Sequence, residues 1–178
     1  MGPLMASIAT EGLITTMKAV AEGASVVNRD VVALRFGTDA YPELSDSERT
    51  KRARVTKSFD CRIVSMGRHP QSCSAVYSRQ LYLTKVRCTH TRHIDPLVKL
   101  DQTTRDALLG NQWEDVDIIA QAMEYPGNVA WDTAAGGLVS QSLKHVVSDL
   151  GRVELGPNPP NFVETIMNFE CVLYVNAN

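Results

Sequence analysis

Three stretches of the chain alternate apolar and polar residues with a period of two, and this alternation most constrains the fold. In "VTKSFDCRIVSMG", Val55, Phe59, Cys61 and Ile63 fall mostly on one side, with Thr56, Ser58, Asp60 and Arg62 on the other. "AVYSRQLYLTKVRCTHTRH" is a second long extended segment. "FVETIMNFECVLYVNAN" places Val163, Met167, Phe169, Cys171, Leu173 and Val175 on a single face. Successive side chains of a strand point to opposite faces, so these segments read as strands with one buried side. Only "RHPQSCS" separates the first two, and its Pro and Ser content marks a turn or loop. The pair therefore predicts a large antiparallel hairpin.

Helical spacing appears elsewhere. Leu4, Ile8, Leu13, Met17 and Val20 recur at three- to five-residue steps, which predicts a helix from about Pro3 to Gly23. "DVVALRFG" follows as a short strand, and "TDAYPELSDSERTKRAR" as a polar surface loop. "LDQTTRDALLGN" suggests one or two helical turns. Asn111, three residues before Glu114, then resembles a capping box that opens a further helix with Trp113, Val116, Ile119 and Met123 as its apolar stripe. "EYPGNVAWDTAAGG" interrupts it. "LVSQSLKHVVSDLG" reads as another helix, with Leu138, Leu143, Val146, Val147 and Leu150 inward and Gly151 as its stop. "GPNPPN" is a linker to the terminal strand.

This order predicts an α+β fold: an antiparallel or mixed sheet with a long β-hairpin, and helices packed on one face. At 178 residues, 44% apolar and 21% charged, the chain suits one globular domain over residues 1–178. Within it, 38–54 is a surface loop, 66–93 a loop and the outer part of the extended hairpin, and 156–161 the linker. No apolar run reaches the roughly 18 residues of a membrane span. The first residues lack the basic and unbroken apolar regions of a signal peptide. Cys61, Cys73, Cys88 and Cys171 are widely spaced, and are read as reduced thiols in a cytoplasm.

Charge is segregated along the chain. Between Arg49 and His93 stand 11 basic residues and one acid, Asp60, a net +10; the remainder, with 7 basic and 19 acidic residues, carries −12. Such a chain either contacts a polyanion or docks basic on acidic surface in copies of itself. Arg49, Lys51, Arg52, Arg54, Lys85, Arg87 and Arg92 are the candidate subunit-interface or DNA-facing residues. Aromatic residues are sparse here, so stacking on single-stranded bases is poorly supported.

"VRCTHTRH" raises a metal question. His69, Cys73, Cys88, His90 and His93 lie in one hairpin, but no tight Cys-x-x-Cys pair occurs, and residue 93 points away from 88 and 90 on a strand. They are read as no metal site, with Cys88 a small apolar residue and His90 and His93 polar surface. Period-two alternation places Val86 and Cys88 toward the helices and Lys85 and Arg87 away. Past Thr89 the alternation loses its apolar members, as a hairpin leaving the core would. A Cys–His nucleophile pair, Cys88 or Cys73 with His145, is a weaker alternative. "TAAGGLVS" could offer amide donors to an anion but reads better as a hinge. No nucleophile elbow, phosphate loop or dinucleotide fingerprint occurs, and no cofactor or catalytic residue is assigned.

The element order, the extended basic hairpin and the terminal "FECVLYV" strand resemble the tail terminator and head–tail joining proteins of tailed bacteriophages. The resemblance covers most of the chain and is architectural, since that family has no invariant catalytic motif. "TDAYPELSDSERTKRAR" and "EYPGNVAWDT" stand outside it. It implies a non-enzymatic virion subunit, assembled in the host cytoplasm into a hexameric ring on the tail tube. Its partners would be copies of itself, tail tube and neck or connector proteins, with non-specific contact to DNA and none to a membrane. A nucleic-acid-binding module using residues 49–93 is the alternative.

Overall fold

A computed structural model of the protein describes residues 3–24, 55–69, 79–94 and 100–176. It is α+β: two helices pack on one face of a five-stranded antiparallel sheet. In chain order the elements are α1 (Pro3–Ala24), β1 (Val55–Arg68), β2 (Arg79–Ile94), α2 (Gln102–Glu124), β3 (Gly136–Leu138), β4 (Lys144–Glu154) and β5 (Asn161–Asn176). β1 pairs β2, β2 pairs β5, and β3 and β4 both pair the far side of β5. The expected strand at "DVVALRFG", the 38–54 loop and the hairpin connection lie outside the described residues.

The alternating segments form the three long strands. β5 buries Val163, Thr165, Met167, Phe169, Cys171, Leu173 and Val175 in an unbroken odd-numbered row. β2 runs antiparallel beside it, so its even residues face the same way, with Val86, Cys88, His90, Arg92 and Ile94 buried. The hairpin of β1 and β2 keeps register from Val55 opposite Ile94 to Arg68 opposite Tyr82, with one irregularity between Ile63 and Ser65. β2 is therefore a central strand, and its second half does not leave the core.

Two expected helices are one. α2 runs without interruption through Gly110 and Asn111, and its cap is Asp101, whose carboxylate accepts a 2.8 Å hydrogen bond from the Thr104 amide. Asn111 and Glu114 are helix interior. Gly110 is tolerated because it lies on the exposed face with nothing packed on its Cα. Val116, Ile119 and Met123 face inward as expected, whereas Trp113 is 42% exposed.

The segment "LVSQSLKHVVSDLG" corrects the sequence reading most. It is not a helix: it forms β3, a turn at Gln141, and β4. Leu138 and Leu143 are buried, but Val146, Val147 and Leu150 are exposed. The deciding force is long-range. β5 has open backbone groups on its far side, and the β-branched run of β4 meets them. Ser142 stitches the turn to β5, donating its hydroxyl to the Val172 carbonyl and accepting from the Val172 amide at 3.1 Å.

Two close approaches require glycine. The Trp131 indole rests on Gly12 of α1, where a Cβ would overlap the ring. Gly136, at φ 156°, is pressed against the Tyr174 carbonyl. The two glycines of "AAGG" thus open β3, pinned to β5, and no helix follows them for a hinge to serve. Tyr174 fixes the same region through a hydrogen bond from its hydroxyl to Asp132.

The main core joins Leu13, Met17 and Ala21 of α1 and Val116, Ile119 and Met123 of α2 to Phe59, Val86, Phe169 and Leu173 of the sheet. A smaller cluster of Ile94, Leu108 and Val163 closes the other end. Full burial of such side chains contributes about 1.5–3 kcal/mol each.

Candidate functional site

Between the two apolar clusters the inner face turns polar. Lys57 of β1, His90 and Arg92 of β2, Thr165 of β5, and Gln112 and Asp115 of α2 are all buried there. The sheet register explains the grouping. Lys57 lies opposite Arg92, and His90 lies between Phe59 and Thr165. Helical spacing puts Gln112 and Asp115 on the face of α2 above them. Lys57 Nζ, Arg92 Nη2 and His90 Nε2 converge on the Oδ2 atom of Asp115, with His90 at 3.3 Å. Gln112 completes the network. Its amide donates to the His90 carbonyl at 2.9 Å and to the Thr165 hydroxyl at 3.0 Å, and its carbonyl accepts from Arg92 Nε.

Burial opposes the Asp115 charge. The hydrogen bond from His90 and the charges of Arg92 and Lys57 outweigh it and hold the carboxyl down to about 2. For His90 burial dominates; Asp115 pulls its pKa up, but the net shift is below 6.5. The imidazole is therefore neutral at neutral pH and, with its proton on Nε2, donates to Asp115. Chemically, the cluster is a fully internal ion-pair network. It joins α2 to three strands, and none of its cations reaches solvent.

This corrects two expectations. Arg92, taken as partner- or DNA-facing, is 0% exposed and cannot meet either. His90, taken as surface, is 0% exposed as well. The reason lies in α2. Without its acid and amide, the inner face of β2 past Thr89 looks too polar to be core. Asp115 was the signal available in sequence: an acid at helical spacing among Val116, Ile119 and Met123.

The remaining candidates separate. Cys88 is 0% exposed and faces the helices, as the alternation implied, while Lys85 points the other way and pairs loosely with Glu170 at 3.8 Å. Arg87 lines a groove of about 340 Å³ on the sheet face opposite α1 and α2 with Arg62, Asp60 and Glu164. The described part of the basic stripe is thus interleaved with acids. Arg49, Lys51, Arg52, Arg54 and Cys73 lie outside the described residues. His93 Nε2 sits 2.9 Å from Ser58 Oγ, away from Cys88. His145 approaches Ser148 at 2.7 Å and leans on Phe169. β5 separates it from Cys88, so the Cys88–His145 pair is not assembled. Among the described residues no group of three His, Cys, Asp or Glu side chains could hold a metal ion, and no helix is long and apolar enough to cross a membrane.

The pKa shifts predict acid sensitivity in two stages. Burial lowers both His90 and His93, so each stabilises the fold fully above its unfolded value near 6.5. That contribution is lost as pH falls through the folded values. Asp115, depressed from 3.8 to about 2, adds a second loss below pH 4. The melting temperature should hold above pH 7, decline below 6.5 and fall steeply below 4. His90→Gln should flatten the first decline, and a profile identical to wild type would remove His90 from the account.

The surface feature of note is β4. Among the described strands it is an edge beside β5, and Val146, Val147, Leu150 and Val153 are 37–53% exposed along it. No protein-family model matches the chain, and no curated protein sequence matches it.

Proposed function

We propose that the chain is a structural, non-catalytic subunit of a tailed-bacteriophage tail or neck, a tail terminator that closes into a ring at the head–tail junction. The observation that carries the reading is β4. Four apolar side chains stand exposed on an edge strand, where soluble proteins usually place charge or cover. A ring interface is heterologous, so each subunit must offer two unlike surfaces. The sheet ends in two unlike edges: β4, with four exposed apolar side chains among Lys144, Asp149, Arg152 and Glu154, on one side, and β1, whose Asp60 pairs with Lys18 of α1 at 2.9 Å, on the other. The opposite net charges of residues 49–93 and the rest of the chain would favour the same head-to-tail arrangement. In this reading the ring sits in the virion, meets tail tube and connector proteins, and admits DNA with non-specific contact.

Light scattering of the full chain at low and high salt tests it. The wild type should form a closed oligomer, with six copies the expected number for such a ring. The double variant Val147→Lys, Leu150→Lys should be monomeric with an unchanged fold, because both side chains are already exposed. A wild type that stays monomeric at every concentration and salt defeats the proposal. The +10 charge of residues 49–93 favours a second reading, a nucleic-acid-binding module. Titration of labelled duplex and single strands at two salt concentrations distinguishes it. Affinity for free nucleic acid with a steep salt slope supports that module, and no binding at low salt removes it.

A further inference from the structure

We infer that Cys61 and Cys88 form an oxidisable pair, a modification site at which a cross-strand disulfide joins β1 to β2. The two residues are direct partners in the β1–β2 register, and their sulfurs lie 2.7 Å apart. Directly opposed residues of an antiparallel pair have Cα atoms about 4.5–5.5 Å apart, inside the span a disulfide accepts. The sulfurs therefore need to close by only a fraction of an ångström through side-chain rotation. The distance also argues against a shared metal. Two thiolates on one tetrahedral zinc ion, each at about 2.3 Å, would stand about 3.8 Å apart.

Neither remaining cysteine competes within the described fold. Cys171 sits on β5 four positions from Met167, the partner of Cys88, which is about 13 Å along a strand. Burial pushes its thiol up to about 12, so it is also a poor nucleophile. Cys73 lies outside the described residues.

Access comes from the β1 side. Cys61 is 6% exposed and Cys88 0%. Cys61 lines a cleft of about 490 Å³ between α1 and β1, bounded by Thr10, Glu11, Ile14 and Thr15. The order of events follows. The Cys61 thiolate attacks a small disulfide oxidant, expels one thiol and forms a mixed disulfide. Cys88, losing its proton, then attacks Cys61 Sγ and expels the second thiol. Two protein thiols give up two electrons and two protons, and one oxidant disulfide becomes two thiols. Burial and the neighbouring Cys61 raise the Cys88 pKa, which slows the second step.

The test exposes the folded full chain to bis(2-hydroxyethyl) disulfide, a small neutral oxidant, well below its melting temperature. Intact mass should fall by about 2 Da, and proteolysis should recover a peptide pair linked through Cys61 and Cys88. The bridge closes a loop of about 28 residues, so the melt should rise by about 5–10 °C and return on reduction. Cys88→Ala should stop at the mixed disulfide on Cys61, about 76 Da heavier, without the rise. The mapped link in the wild type stands as the deciding result even if that variant folds poorly. A chain whose thiols all remain alkylatable, a link through Cys73 or Cys171, or a bridge that leaves the melt unmoved overturns the inference.

Discussion

Asp115→Ala should cost about 3–5 kcal/mol of stability and lower the melting temperature by about 10 °C or more. The substitution removes a carboxylate that Lys57, Arg92 and His90 share, and takes that counter-charge from two fully buried cations. Asp115→Asn is the sharper variant, because it keeps the volume and some hydrogen bonding but removes the charge. It should lose nearly as much. Asp117→Ala, two residues along on the exposed face of α2, should stay within about 0.5 kcal/mol. Urea denaturation of the three variants measures the contrast. If Asp115→Asn melts within a degree or two of wild type, the cluster is not held by charge.

A comparable loss is expected from Cys88→Asp, and a much smaller one from its neighbour Arg87→Glu. Cys88 is fully enclosed by the main core, so a carboxylate there must be desolvated or protonated. The cost is several kcal/mol, enough to leave little folded protein. Arg87 is half-buried in the groove with Asp60, Glu164 and Arg62, where a reversed charge meets two acids but keeps Arg62 and the groove opening beside it. Its fold should survive. If the sheet face opposite α1 and α2 contacts a neighbouring subunit or DNA, Arg87→Glu should show its defect in assembly or binding instead. Thermal melts of the two variants settle which face of β2 is inside, and the opposite ranking would reverse the strand.

Strands with a complete apolar row were legible. Val163 to Val175 on β5 could only be one buried face, and Phe59 with Cys61 read the same way on β1. α1 was legible from Leu13 and Met17. β4 was not. Val146, Val147 and Leu150 match helical spacing by coincidence, and strand pairing with β5, a partner distant in sequence, overrode it. The join within α2 was missed because Gly110 and Asn111 look like a boundary. In place they cost only local propensity on an exposed face. The polar cluster was illegible because each member looks like surface alone. Lys57 and Arg92 become interior only when α2 brings Asp115 to them, a pairing across 23 residues or more that no local pattern encodes.

The same cluster bears on strand alignment. Sliding β1 along β2 by two residues keeps every side chain on its original face, so apolar alternation alone offers no veto. Charge does. After such a slip Lys57 would leave its place opposite Arg92 and stand opposite His90 or Ile94, shifted about 7 Å along the strand from the position that meets Asp115. The buried ions thus act as an index mark for a hairpin whose grease pattern repeats every two residues. Replacing them together, as Lys57→Met, Arg92→Met and Asp115→Leu, should keep or raise the melting temperature, since a packed apolar trio avoids desolvation. The expected loss is of uniqueness: duplicated amide resonances along β1 and β2, from alignments that the native chain forbids.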